Sequence, residues 1–124
     1  MTDAIVFSMP WPPSANHYRA PNGRGGHILT SRARAYHDLV AMQLKRISRS
    51  GAISHPCRVH VVAHPPDRLR RDLMNLEKVS SDSLVRCGVL EDDRWIVSYA
   101  IEWGPLIRGG LLVVRIERAA DGRW

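Results

Sequence analysis

A short run between residues 66 and 78 combines arginines with an acid, an amide and a lysine, and it is the part of the chain best suited to chemistry. Its polar members are Arg68, Arg70, Arg71, Asp72, Asn75 and Lys78. Further along, the chain carries a second acidic group, Glu91-Asp92-Asp93. Arginines beside carboxylates suit an enzyme that attracts a polyanion and holds a divalent cation against it. Carboxylate oxygens, completed by water and phosphate, are the usual ligands of Mg²⁺.

Each of these residues also has an ordinary structural role open to it. Asp72 comes just before an expected helix, where it can cap the helix or serve its first turn, and Asn75 is a good N-cap candidate. Lys78 alone is an ordinary exposed lysine, and Glu91-Asp92-Asp93 alone suits a solvated turn. Their grouping favours chemistry, because a helix N-terminus already attracts anions.

The apolar pattern predicts the elements that must position these groups, in the order strand, helix, strand, helix, strand, strand. Strands are expected at Ala4–Met9, Cys57–His64, Trp95–Trp103 and Leu111–Glu117, and helices from Thr30 or Ser31 to about Ser50 and from Asn75 to Cys87. We therefore expect one α/β (α+β) domain over residues 1–124, with a small mixed β-sheet packed against two helices. The Gly-rich and Arg-rich segment before the first helix is expected to be a long polar loop, and Gly109-Gly110 indicates a hairpin between the last two strands.

This order also predicts how the acidic groups are placed. The basic run follows the second strand, and the acidic group 91–93 precedes the third. If these two strands are neighbours, we expect both acidic sets to meet at one edge of the sheet. A pair of carboxylates brought together in this way would hold Mg²⁺.

Composition narrows the class of protein. The chain has 18 Lys and Arg against 12 Asp and Glu, a net charge of +6 and a pI near 10.1. Such a basic domain favours a nucleic-acid partner over a membrane or an acidic metabolite. No apolar stretch approaches the roughly 20 residues that span a bilayer, and residues 1–9 lack the basic region of a signal peptide. We expect a cytoplasmic protein with no membrane contact and no small-molecule cofactor.

The two cysteines do not indicate a disulfide or a zinc site. Cys57 and Cys87 lack CxxC spacing, and the expected strand points Cys57 to the opposite face from His60 and His64. Both cysteines are therefore expected to be reduced, buried thiols.

Beyond these patterns, the sequence resembles the RusA-type Holliday-junction resolvases, which are small Mg²⁺-dependent endonucleases. The resemblance covers nearly the whole chain and rests on an acid-amide-lysine motif followed by a distal Asp-Asp pair. The matching stretches are Trp11-Pro12-Pro13-Ser14-Ala15-Asn16, Pro66-Asp67-Arg68-Leu69-Arg70-Arg71-Asp72, Asn75-Leu76-Glu77-Lys78, Asp82 and Leu90-Glu91-Asp92-Asp93.

The resemblance implies a role for each matching residue. Asp72 and Asp93 would be catalytic carboxylates that bind Mg²⁺, or Mn²⁺ in its place. Lys78 would stabilise charge on the scissile phosphate, and Asp92 would support the site. The substrate would be branched DNA at four-way junctions. Its backbone would be contacted by Arg68, Arg70, Arg71 and Asn75, with Arg19 and Asn16 of the first loop as further candidates.

Symmetric resolution of a junction requires two nicks on opposed strands, and one chain offers one site. A two-fold homodimer is therefore expected, which agrees with the resemblance. The apolar face formed by Trp95, Tyr99 and Trp103 on the third strand suits either the core or the dimer surface, and the core is favoured for at least half of it.

The sequence departs from the family pattern at Met74, where the family has a second essential aspartate. A thioether does not replace a carboxylate on Mg²⁺, which selects oxygen ligands. Three explanations stay open: Glu77 or Asp92 compensates, the protein binds junctions without cutting them well, or Met74 is an engineered substitution. The alternatives to a nuclease are thus a catalytically impaired junction-binding protein and a small basic structural protein.

Overall fold

A computed structural model describes residues 4–14 and 17–119. The elements are β1 (Ile5–Pro10), β2 (Arg19–Pro21), β3 (His27–Leu29), α1 (Ser31–Gln43), α2 (Lys45–Ser48), β4 (Cys57–His64), α3 (Met74–Arg86), β5 (Ile96–Trp103) and β6 (Leu111–Arg118). All four predicted strands are present, as are both predicted helices, and the expected α/β (α+β) class is confirmed. Asn16, the first three residues of the stretch 1–9 considered as a signal peptide, and the tail beyond residue 119 lie outside the described residues, whereas residues 5–9 belong to β1.

The four long strands form one mixed sheet in the order β1-β6-β4-β5. β4 runs antiparallel to β6 and parallel to β5, with Val59 opposite both Ile116 and Tyr99. Alternate residues of β4, from Cys57 to Ala63, are buried, as the period of a half-buried strand requires. The predicted hairpin between the last two strands is wrong, because β4 lies between β5 and β6. Gly109-Gly110 instead serves the connection that crosses from the edge strand β5 to β6.

Two ends of this sheet matter for the rest of the molecule. The carboxyl end is where β4 and β5 finish, at His64 and Trp103, and the amino end is where they begin, at Cys57 and Ile96. Because β1 is antiparallel to β6 and β6 is antiparallel to β4, β1 also finishes at the carboxyl end.

Both large helices pack on one face of the sheet and close the core. Tyr36 and Val40 of α1 and Val79 and Leu84 of α3 are buried against the apolar side of β4 and β6. Thr30, one of the two cap candidates, caps α1 by accepting a hydrogen bond from the backbone N–H of Ala33 at 3.1 Å.

The first helix is shorter than expected and is followed by a separate turn of helix. α1 ends at Gln43 because Leu44 leaves the helical conformation, with φ −100° and ψ 12°, and α2 then covers only Lys45–Ser48. Gly51, at φ 98°, ends this region in the left-handed conformation that glycine tolerates.

The segment expected to be a long polar loop contains a small hairpin of β2 and β3. Arg19 pairs with Leu29, and the hairpin returns the chain to the start of α1. Tyr18, just before β2, is buried and hydrogen bonds through its hydroxyl to Asp82 of α3 and to Nε2 of His37 at 2.8 Å. Ser83 contacts Nδ1 of His37 at 3.2 Å and completes a polar network between the two helices.

Candidate active site and nucleic-acid interface

The basic run lies in the loop that leaves β4 and enters α3 at the carboxyl end of the sheet. Pro65 and Pro66 follow β4 directly and supply no N–H groups for a sheet ladder, so the strand stops there. Asp67 then folds the loop, since its Oδ1 accepts from the backbone N–H of Leu69 at 2.9 Å and pairs with Nη1 of Arg71 at 2.8 Å. These two hydrogen bonds, the one from Arg71 first, lower the pKa of the Asp67 carboxyl.

This loop forms one wall of an open pocket of about 450 Å³. The opposite wall comes from the segment after β1 and from the first turn of α1. The pocket is lined by Trp11, Pro12, Pro13, Ser14, His17, Arg32, Arg70, Arg71, Asp72, Asn75 and Leu76. Three guanidinium groups and one carboxylate thus face the same open space. Guanidinium groups bind phosphate through a planar fork of donors, so this surface suits a phosphodiester backbone.

Aromatic side chains support the arginines of this pocket. The guanidinium of Arg71 lies 5.6 Å from the centroid of the Trp11 ring, and Trp11 stacks on Trp103 with centroids 6.4 Å apart. Arg71 is therefore held in place, by Trp11 on one side and by its ion pair with Asp67. Arg68 and Arg70, in contrast, are exposed and make no ion pair within the described residues, so their guanidinium groups are free to bind phosphate.

Asp72 lies at the entrance to α3 and starts the helix. Its Oδ1 accepts a hydrogen bond from the backbone N–H of Met74 at 3.1 Å. Asp72 therefore has the local capping role, and the prediction of Asn75 as N-cap is wrong because Asn75 lies inside the first turn of α3. Asn75 remains exposed and lines the pocket beside Asp72.

Two other residues of the motif lie on the outer surface of α3. Lys78 is exposed, makes no ion pair among residues 17–119 and does not line the pocket. Met74, the position at which the chain departs from the family pattern, is 64% exposed in the first turn. Because its side chain is largely exposed, Met74 does not have a structural role in the core in place of the carboxylate of the family pattern.

The second acidic group lies just before β5. Asp93 opens a short 3₁₀ turn, Asp93–Trp95, and Asp92 caps it by accepting from the backbone N–H of Arg94 at 2.9 Å. That hydrogen bond lowers the pKa of Asp92. Both carboxyl groups are exposed.

The two acidic sets lie at opposite ends of the sheet within one chain. Because β4 and β5 are parallel, the loop that leaves β4 is at the carboxyl end and the turn that enters β5 is at the amino end. α3 lies between them, and its 13 residues span about 20 Å at 1.5 Å per residue. The two strands are neighbours, which was the condition for the acidic sets to meet, but because the strands are parallel, Asp72 does not meet Asp92 and Asp93 in a single chain.

A single chain therefore does not fit the Mg²⁺ that the motif implies. Within residues 4–14 and 17–119, no three His, Cys, Asp or Glu side chains are grouped so that they could hold a metal ion. Asp72 offers one carboxylate, and Met74 beside it offers none. The cysteines and histidines near β4 do not form a metal site either, since Cys57 is buried on the core side and His60 is on the other face, as predicted.

Sequence reasoning gave no role to three residues that line the pocket, Arg32, Trp11 and His17, although the motif around Trp11 was a signal for one. It also gave site roles to five residues that do not line it: Arg68, Lys78, Asp92, Asp93 and Arg19. Arg19 does not line the pocket and lies on β2, with its guanidinium 5.5 Å from the Tyr18 ring centroid.

A small basic α/β domain with an arginine-lined pocket around a carboxylate has the features of an enzyme that cuts nucleic acid. Comparison with known families agrees, because the profile of the family described as Endodeoxyribonuclease RusA matches residues 10–117. The chain belongs to this family.

Relatives of known identity cover almost the whole chain. It is 38% identical over 115 residues to a protein of Enterobacteria phage 82 and 37% identical over 115 residues to one of Escherichia coli K12. A protein of Escherichia coli O139:H28 is 36% identical over the same length. Each is named a crossover junction endodeoxyribonuclease RusA, and each match covers 93% of this chain and 95% of the relative. These relatives are enzymes.

No helix formed by the described residues is long and apolar enough to cross a membrane.

Proposed function

We propose that the chain is a Holliday-junction resolvase, an endonuclease that hydrolyses DNA phosphodiesters at four-way junctions. The observation that carries this proposal is the pocket in which Arg32, Arg70 and Arg71 surround Asp72, in a chain that belongs to the endodeoxyribonuclease RusA family. The curated relatives are named for crossover junctions, and this supports a branched substrate here.

The free and the fixed arginines have different tasks in this proposal. Arg68 and Arg70 bind the phosphates of the arm next to the branch point and supply affinity that falls with salt. Arg71, held by Asp67 and Trp11, fixes the position of the backbone in the pocket. Asp72 is oriented toward its pocket by the hydrogen bond that Oδ1 accepts from the N–H of Met74. Asn75 lines the pocket and contacts the bound backbone, and Lys78, one turn further along the exposed surface of α3, supplies positive charge next to the pocket.

The proposal includes Mg²⁺, or Mn²⁺, as the cofactor and a homodimer as the active species. Carboxylates are suitable ligands for either ion. Two nicks on opposed strands require two sites related by a two-fold axis.

A second function, junction binding with weak cleavage, is favoured by one observation. Met74 presents an exposed thioether in the first turn of α3, two residues after Asp72, where the family pattern has a carboxylate. This substitution removes one anionic ligand and leaves the arginines of the pocket unchanged.

One assay separates these functions. Purified protein is incubated with end-labelled four-way junction and with linear duplex of the same sequence, with Mg²⁺, Mn²⁺ or a chelator. Metal-dependent nicks only in the junction support the resolvase, and a shifted junction band without product supports the impaired binder. Equal binding of linear duplex without nicking would support the small basic structural protein and contradict both.

A further inference from the structure

A second open pocket lies at the amino end of the sheet, where β1 and β4 begin and β6 finishes. It has a volume of about 360 Å³ and is at the opposite end of β4 from the pocket around Asp72. Five aliphatic side chains line this amino-end pocket: Ile5, Ile47, Ile53, Val89 and Ile116. Val89 and Ile116 are buried and form its floor, while the three others are half-buried and form apolar walls.

Backbone hydrogen bonds hold the walls of the amino-end pocket in place. The N–H of Ile53 donates to the carbonyl of Val89 at 2.9 Å, and the carbonyl of Ile53 accepts from the N–H of Glu91 at 3.0 Å. The N–H of Ala119 donates to the carbonyl of Pro56 at 2.9 Å and ties the end of β6 to the segment before β4. The pocket is therefore preformed, as most ligand pockets are.

Uncompensated positive charge surrounds the mouth of the amino-end pocket. Arg46 and Arg118 line it, both are exposed, and neither forms an ion pair within the described residues. The one acid of the lining is Glu117, and its carboxylate is already paired with Arg58 at 3.2 Å and with Arg115 at 3.4 Å. A ligand with carboxylates would therefore complement the mouth.

The lining favours a polypeptide over a nucleic acid. The pocket around Asp72 is rich in arginine and suits a phosphodiester backbone, whereas the interior of the amino-end pocket is mainly aliphatic. Nucleic-acid bases stack on aromatic side chains, and no Phe, Tyr or Trp among the described residues lines this pocket. A polypeptide can offer an apolar side chain to the interior and carboxylates to the mouth.

We propose that the amino-end pocket docks an acidic segment of a partner protein. One bulky apolar side chain of that segment enters the pocket, and Asp or Glu residues on either side of it pair with Arg46 and Arg118. These two arginines come from different elements, α2 and β6, so carboxylates on both sides of the apolar side chain have a partner. The site goes beyond the proposed function, because it would bring another protein to the enzyme while the pocket around Asp72 holds the junction.

The chain's own segment 120–124 is a poorer match for this site. It contains Trp124 and Asp121, but Arg123 cancels the charge of the one acid. Exposed Lys45 and Arg49 lie on either side of the pocket's Arg46 along the chain and add to the positive charge of this surface. A segment with several acids is thus the better complement.

Fluorescence anisotropy with a designed peptide tests the docking directly. The probe is a fluorescein-labelled peptide with one phenylalanine between two runs of four aspartates. The full-length wild type is expected to bind it with an affinity that falls as salt is added. A peptide with alanine in place of phenylalanine is expected to bind about tenfold more weakly or worse, since the apolar side chain is no longer buried. A peptide with lysines in place of the aspartates is expected not to bind.

Three variants locate the bound peptide. Ser50 is exposed and lines the pocket, so Ser50→Trp should fill the pocket without disturbing the core, and it is expected to weaken peptide binding about tenfold or more. Arg46→Ala should weaken it several-fold. The matched control Arg70→Ala removes the same charge from the pocket around Asp72 and is expected to bind the peptide as the wild type does.

Other occupants of the amino-end pocket give different results, and each would overturn the proposal. Weaker peptide binding by Arg70→Ala but not by Ser50→Trp would place the peptide in the pocket around Asp72. No binding by the wild type, beside binding by a chain that ends at Ala119, would assign the amino-end pocket to the chain's own segment 120–124. Weaker junction binding by Ser50→Trp would assign it to DNA, and a smaller mass of Ser50→Trp in sedimentation would assign it to a second copy of the chain. No binding by either chain length would leave the pocket without the proposed partner.

Discussion

The exposed arginines of the loop between β4 and α3 lead to a quantitative expectation for DNA binding. Arg70 lines the pocket beside Asp72 and makes no ion pair within the described residues, so its guanidinium releases a DNA counterion when it binds a phosphate. Each phosphate contact contributes a slope of about −0.9 to a plot of log affinity against log salt concentration. Arg70→Ala is therefore expected to make this slope shallower by about 0.9.

The size of the effect can be stated for a convenient range of salt. When the salt concentration is raised from 50 to 200 mM, the junction affinity of Arg70→Ala, which lacks one phosphate contact, is expected to fall about 3.5-fold less than that of the wild type. Fluorescence anisotropy of a labelled four-way junction, measured without divalent metal, gives the slope directly. Arg71→Ala is expected to change the slope less, because Arg71 is already paired with Asp67 at 2.8 Å.

The matched control is Arg49→Ala, which removes the same charge from the exposed turn after α2, away from the pocket. Its slope is expected to equal that of the wild type. If Arg49→Ala and Arg70→Ala change the slope equally, the affinity comes from net charge alone, and the assignment of the phosphate contact to this pocket is refuted.

Three further expectations concern the helix start, the polar network and the connection beside Trp11. Met74→Asp is expected to raise junction cleavage, and to raise the free energy of unfolding by about 0.3–1 kcal/mol because an anion favours a helix N-terminus. The control Met74→Asn, which adds no charge, is expected to change both quantities little. A lower melting temperature for Met74→Asp would contradict this expectation. Burial lowers the pKa of His37 despite the opposing charge of Asp82, so the unfolded chain takes up the proton first. The contribution of neutral His37 to the free energy of unfolding is therefore complete above about pH 6.5 and is lost as the pH falls below it. Urea titrations from pH 8 to 5 should show a smaller loss of stability for His37→Gln than for the wild type. An equal loss would mean that His37 is not the group responsible. Gly110→Ala should lower the free energy of unfolding by about 1–3 kcal/mol more than Gly109→Ala. Both glycines have positive φ, but only at Gly110 would an added Cβ meet Trp11, at 2.7 Å. Equal losses of stability in thermal denaturation would rule out this close approach.

The elements themselves could be predicted wherever the apolar period was clear. Cys57–His64, which alternates and then runs apolar, was placed to the residue, and α3 differs by one residue at each end from the helix expected between Asn75 and Cys87. The hairpin of β2 and β3 escaped detection because its strands have three residues each and carry no apolar alternation. Short elements of this kind are defined by tertiary contacts, here the hydrogen bond from Tyr18 to Asp82.

Strand order is the part that local sequence did not encode. Gly109-Gly110 correctly indicated a turn, but turn residues do not specify which strand the chain joins next, and β6 pairs with β4 and β1. The same limit affected the site. The sequence left open whether β4 and β5 are neighbours, and although they are, whether their acidic flanks meet depends on strand direction, and parallel strands keep them apart.

The central claim is the proposed function, a resolvase whose pocket carboxylate Asp72 is needed to cut the junction but not to bind it. It is tested most directly by nicking of a labelled four-way junction with Mg²⁺, comparing the wild type with Asp72→Asn. The wild type is expected to nick the junction, and Asp72→Asn is expected to bind it without nicking, because the arginines of the pocket are unchanged. Nicking by Asp72→Asn at the wild-type rate would contradict the account.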